Sequence, residues 1–157
     1  MRWGFYNFKI KGGIKNMKPS IENIQYLDQL KEVGINKETS ILTCTLSLYG
    51  LRPDRDIDVI VSSDHFNLIM ETYSEIKLNV GLSGQSFIQY KNLDIFTRLA
   101  PFFGYDQMGL IELISSGYTE GHKGYNFIIL PVVISWKAAL GRRKDFRDIE
   151  LIAGFLK

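Results

Sequence analysis

Ser47-Leu48-Tyr49-Gly50-Leu51-Arg52-Pro53-Asp54-Arg55-Asp56-Ile57-Asp58-Val59-Ile60-Val61 is the stretch on which the reading of this chain turns. Gly50 and Pro53 break regular structure, so residues 49–55 read as a turn. Residues 56–61 follow as a β-branched apolar run and read as a strand. Strand residues two apart share a face, roughly 6–7 Å from each other. Asp56 and Asp58 then aim two carboxylates at one spot while Ile57 faces the other way. Two like charges held together are unfavourable unless a cation sits between them. Oxygen sites with one or two carboxylates are what Mg²⁺ takes in phosphoryl-transfer chemistry.

Upstream, residues 41–48 also read as a strand. The short link makes it an antiparallel partner of 56–61, which brings residues 47–52 near the two aspartates. Before it, Ser20 caps a helix over 21–33, with Ile21, Ile24, Leu27, Leu30 and Val33 at near-helical spacing and Gly34 as the stop. Downstream, Ser63 or Asp64 caps a helix to about residue 77, with Phe66, Ile69, Met70, Tyr73 and Ile76 as its buried face. Residues 81–86 read as a loop, 87–90 and 93–99 as strands around Lys91-Asn92, and 106–115 as helical. Residues 118–130 form a hairpin around Glu120-Gly121-His122-Lys123-Gly124. Residues 131–140 and 144–155 are two helices separated by Gly141. The mixture is α+β, or mixed α/β, with an incompletely parallel sheet flanked by helices and closed by C-terminal helices.

The chain has 157 residues, 45% hydrophobic and 23% charged. That suits one globular domain with a proper core, expected over residues 20–157, with 1–19 as an N-terminal extension and Met17 as an alternative start. A net charge of +2 neither demands nor excludes a nucleic-acid partner. The single cysteine, Cys44, reads as a buried structural thiol. No run approaches the ~20 apolar residues of a membrane span, and residues 1–18 lack a signal-peptide core, so a cytoplasmic protein is the expectation. No His/Cys spacing suggests zinc. His65 is placed in the first turn of its helix and His122 in a hairpin tip. Gly12-Gly13 is too isolated for a phosphate cradle.

A third acid has a similar setting. Leu93-Asp94-Ile95-Phe96 puts Asp94 near the start of an apolar strand, where an unpaired buried carboxylate is costly. If that strand lies beside 56–61, three carboxylates converge on one cation pocket. Such a site polarises phosphoryl oxygens and aligns an in-line displacement.

The Asp-Ile-Asp strand, its preceding turn and the later strand acid resemble the nucleotidyltransferase fold of the DNA polymerase β superfamily. The segment Leu130-Pro131-Val132-Val133-Ile134-Ser135-Trp136-Lys137-Ala138-Ala139-Leu140-Gly141-Arg142-Arg143-Lys144-Asp145-Phe146-Arg147-Asp148-Ile149 is similar to the C-terminal pattern of small bacterial nucleotidyltransferases, AbiEii-type toxins among them. The resemblance covers residues 41–152, loosely in the middle. It implies that Asp56 and Asp58 bind Mg²⁺ (or Mn²⁺), that Asp94 is a further ligand or the base, and that a nucleoside triphosphate and a hydroxyl acceptor are the substrates. Ser47 and Gly50 fall near the phosphate-holding turn, where the family carries adjacent Gly-Ser and this chain has Cys44-Thr45-Leu46-Ser47. Arg52, Lys137 and Arg142 would neutralise phosphate charge. Lys144 matches the lysine of a Lys-Asp pair, with Asp145 and Asp148 as structural partners.

Other readings stay open at this point. Asp58 pairs with Arg52 or Arg55 in a purely structural turn, or the fold is kept without catalysis as a binding module, such as half of a toxin–antitoxin pair. A metal-dependent nuclease would need a lysine beside the last carboxylate, and Asp94-Ile95-Phe96-Thr97 has none.

Overall fold

The computed structural model describes residues 18–81, 84–102 and 106–157. The expectations for the extension before residue 18, including Gly12-Gly13 and Met17, lie outside the described residues. So does part of the 81–86 loop.

The protein is an α+β structure around a mixed seven-stranded sheet of order β3-β4-β5-β2-β1-β9-β8. Its strands are β1 (Ile41–Leu42), β2 (Ile57–Ile60), β3 (Lys77–Val80), β4 (Ser86–Tyr90), β5 (Leu93–Phe96), β8 (Thr119–His122) and β9 (Tyr125–Ile128). A separate ribbon pairs β6 (Arg98–Phe102) with β7 (Asp106–Gly109). The helices are α1 (Leu27–Glu32), α2 (Thr45–Leu48), α3 (Ser63–Thr72), α4 (Leu110–Ser115), α5 (Leu130–Leu140) and α6 (Arg143–Leu156). β1 and β2 pair antiparallel, with α2 in the connection between them, while β2 and β5 run parallel.

Alternation along the strands divides the core in two. Leu42, Ile57, Val59, Leu93 and Ile95 face Leu30 of α1 and Ile69 of α3. Ile41, Ile60 and Ile128 pack instead with Leu113 of α4, Val133 of α5 and Ile152 of α6. Asp58, between Ile57 and Val59, therefore belongs to the face that α5 and α6 cover. Asp94, between Leu93 and Ile95, is on that face too.

Several elements differ from the sequence expectation, each for a local reason. The helix expected over 21–33 is a 3₁₀ turn at Ile21–Asn23 followed by α1, because Tyr26 takes a left-handed conformation with φ 68°. The strand expected over 41–48 ends at Leu42. Thr45, Leu46, Ser47 and Leu48 are all buried and coil into α2, whose Thr45 hydroxyl donates to the Ile128 carbonyl. A short run buried on every side carries no periodicity to separate strand from helix. α3 stops at Thr72, and Lys77–Val80 is edge strand β3. The long 93–99 strand divides into β5 and β6, and 106–109 is β7 rather than the start of a helix.

The C-terminal hairpin follows the sequence closely. Gly141 ends α5 with φ +67° and its N–H donates to the Lys137 carbonyl at 3.0 Å, the left-handed cap that glycine adopts without strain. The space a Cβ would fill there is open, with its nearest neighbour at 3.8 Å. Gly141→Ala is therefore expected to cost only the backbone term, about 1 kcal/mol, read as a lower urea midpoint at unchanged slope.

Candidate functional site

β2 and β5 set Asp58 and Asp94 directly side by side, in the register Asp58↔Asp94. Asp56 immediately precedes β2 and is exposed, whereas Asp58 and Asp94 are partly buried. Burial, reinforced by Asp56 and then Asp94, pushes the Asp58 carboxyl up to about 7. Burial, with Asp56, pushes Asp94 up to about 6. Among the described residues no ion pair reaches any of these three acids. The structural alternative that pairs Asp58 with Arg52 or Arg55 is not the observed arrangement: Arg52 bonds Asp54 and Asp148.

Asp56 and Asp58 line a cavity of about 600 Å³ between the β1–β2 connection and the α5–α6 hairpin, within the size range of ligand pockets. Six cations line the same cavity: Arg52, Arg55, Lys137, Arg142, Lys144 and Arg147. Asp94 lies one strand beyond the lining residues. Two other sequence-predicted residues are absent from the lining. Ser47 is buried in α2 and its hydroxyl donates to the Asn23 carbonyl at 3.0 Å. Gly50 follows α2 with φ 67° and its N–H donates to the Ser47 carbonyl at 2.9 Å. The α2 turn thus takes both away from the role of a phosphate-holding loop. Thr43 and Cys44 stand in the lining instead, which the strand reading of 41–48 concealed. Burial pushes the Cys44 thiol well above its ordinary value, consistent with a structural thiol.

Three of the six cations are engaged by acids. Arg52 Nε and Nη2 donate to the two Asp148 carboxylate oxygens at 2.7 and 2.8 Å, and Nη1 donates to Asp54 at 2.7 Å. Lys137 Nζ lies 2.7 Å from Asp148 Oδ2 and 3.7 Å from Asp145 Oδ1. Arg142 donates to both oxygens of Asp145, at 2.7 and 3.1 Å, while its backbone N–H caps α6 on the same carboxylate at 3.1 Å. Burial opposes ionisation of Asp148, but the hydrogen bonds from Arg52 and Lys137 outweigh it and hold this carboxyl below its usual value. The same partnership raises the Arg52 guanidinium further. Asp145 and Asp148 are the structural partners that the sequence suggested, and they tie the β1–β2 connection to both C-terminal helices.

Among the described residues, no group of three or more His, Cys, Asp or Glu side chains is arranged to hold a metal ion. The donors in register are the carboxylates of Asp58 and Asp94, both with raised proton affinity and neither held in an ion pair among the described residues. That donor set suits Mg²⁺ sharing its coordination with water and substrate phosphates, rather than an all-protein cage. His65 sits in the first turn of α3, its N–H bound to the Ser62 cap at 3.1 Å. His122 lies across the sheet, 3.5 Å from Glu120, which accepts from the Tyr49 hydroxyl.

Sequence reasoning also passed over Arg55 and Arg147 as cavity residues. Arg147 had a signal: Lys144, Arg147 and Leu151 recur at helical spacing and all line the cavity. Among the described residues no helix is long and apolar enough to cross a membrane. Compared with protein-family models, curated proteins and solved structures, the chain matches none.

Proposed function

We propose that this chain is a metal-dependent nucleotidyltransferase that moves a nucleoside monophosphate from a nucleoside triphosphate to a hydroxyl acceptor. The observation that carries the reading is the Asp58–Asp94 pair on parallel neighbours β2 and β5, beside a cavity walled by cations. Asp56 and Asp58 would hold Mg²⁺ or Mn²⁺, which when bound polarises phosphoryl oxygens and relieves the crowding of like charges. Asp94, in register with Asp58, would serve as a further ligand or accept the acceptor's proton. The remaining work is positioning and charge neutralisation, which is what phosphoryl transfer mostly requires.

One observation favours a second reading, a catalytically silent binding module with a protein partner. Arg52, Lys137 and Arg142 are already engaged by acids without any ligand. Trp136 lines the cavity and makes intrinsic fluorescence a direct probe. Titration with each nucleoside triphosphate should change that emission with Mg²⁺ and not with EDTA. An unchanged emission in the Mg²⁺ titrations, with no heat of binding by calorimetry, would move the assignment to the silent module.

A further inference from the structure

We propose that Arg55, Lys144 and Arg147 grip the departing pyrophosphate end of the nucleotide, and that Arg52, Lys137 and Arg142 are the scaffold behind them. This rests on the transfer reading above. Arg52 is clasped by two carboxylates, Lys137 is buried against Asp148, and Arg142 is doubly bonded to the Asp145 that caps its own helix. Recruiting any of them to a phosphate would weaken the charge balance of a buried aspartate, Asp145 or Asp148.

The other three are exposed at the cavity wall, and among the described residues none forms an ion pair or a side-chain hydrogen bond. Lys144 and Arg147 are three residues apart on α6 and share a face. Arg55 comes from the β1–β2 connection, one residue ahead of Asp56. The cavity lining therefore combines the carboxylates of Asp56 and Asp58 with three cations that no acid among the described residues engages. A nucleoside triphosphate bound with a divalent cation carries charges that both sets can meet.

The chemistry locates the need for that charge. The acceptor oxygen forms a bond to the α-phosphorus, and the bond from that phosphorus to the α–β bridging oxygen breaks. The electron pair leaves on pyrophosphate, and the acceptor's proton passes to a carboxylate. New negative charge therefore arises on the leaving group, where fixed cations lower the barrier most. Arginine forks grip phosphate oxygens two at a time, and lysine adds a point charge.

The test uses calorimetric titration of the full chain with pyrophosphate, tripolyphosphate, and a nucleoside tri- and monophosphate, all with Mg²⁺. The double variant Lys144→Gln/Arg147→Gln is expected to lose about 100-fold in affinity for pyrophosphate and triphosphate, about tenfold per charge-assisted contact, and little for monophosphate. Arg143→Gln, an exposed neighbour outside the cavity lining, should leave all four affinities unchanged. Wild-type affinity for pyrophosphate in the double variant, no pyrophosphate binding by the wild type, or equal losses for mono- and triphosphate would each overturn the grip. Asp58→Asn separates the two claims. Undiminished Mg²⁺-dependent triphosphate binding in that variant overturns the transfer reading, while the grip is decided by the titrations of the Lys144→Gln/Arg147→Gln variant.

Discussion

Asp58→Asn is expected to raise the melting temperature in metal-free buffer at pH 8 by roughly 4–8 °C, and to abolish Mg²⁺-dependent nucleotide binding. Asp58 sits between Asp56 and Asp94 without an ion pair of its own among the described residues, and burial and repulsion outweigh the attraction of Lys137 and lift its carboxyl to about 7. A carboxyl raised on folding binds its proton more tightly in the folded chain than in the unfolded one. Its contribution is full below the ordinary value near 4 and is lost as pH climbs through 7. The metal-free wild type should therefore lose stability across that window, and the asparagine variant should lose less. With screening at a partly exposed group, the gain above pH 7 is about 2 kcal/mol, which gives the stated shift for a chain of this size. At pH 4 the two proteins should melt together. A thermal melt series in EDTA from pH 4 to 8 checks this, and parallel curves would mean that Asp58 does not feel its neighbours.

Asp148→Ala should be the most damaging single change in the cavity wall, lowering stability by about 3 kcal/mol. The aspartate is 6% exposed and joins Arg52 from the β1–β2 connection to Lys137 from α5. Its removal leaves Lys137, itself 8% exposed, with the 3.7 Å contact to Asp145 as its remaining ion pair among the described residues. Lys137→Met should cost less, because Asp148 then keeps both bonds to Arg52. Urea denaturation of the two variants reads the difference. Equal losses would assign the effect to packing rather than to an uncompensated charge. Since Asp148 titrates below the usual carboxylate range, its contribution is present above that range and disappears as pH falls through its folded value.

The parts of this fold that sequence reveals are those where periodicity and punctuation agree. α5 and α6 meet at Gly141, the β8–β9 hairpin turns within Glu120–Gly124, and β1 and β2 pair antiparallel. The parts it hides are buried on every side or exposed at an edge. Thr45–Leu48 lacks a polar face, so helix and strand look alike there. β3 carries Leu78 and Val80 at 55% and 71% exposure on a sheet edge, where alternation does not mark a core face. For the site, Asp56-Ile57-Asp58 announces its two carboxylates, and Asp94 is recognisable as an acid in an apolar strand. Which cation is satisfied and which is free is a long-range matter: Arg52 and Asp148 are 96 positions apart. The resemblance assigns Arg52, Lys137 and Arg142 to phosphate, whereas their geometry commits them to Asp54, Asp145 and Asp148.

If Asp56 and Asp58 hold the metal as proposed, nucleotide binding depends on a divalent cation. Melting the wild type and Asp58→Asn with a nucleoside triphosphate, in Mg²⁺ and then in EDTA, decides this. A ligand bound only by the folded state raises the midpoint by mass action, by about 2.7 kcal/mol of stability at a hundredfold excess over Kd. The expected result is a shift in the wild type with Mg²⁺ that EDTA removes and that Asp58→Asn never shows. Equal nucleotide-induced shifts in both proteins, or a shift in the wild type that survives EDTA, would contradict the claim.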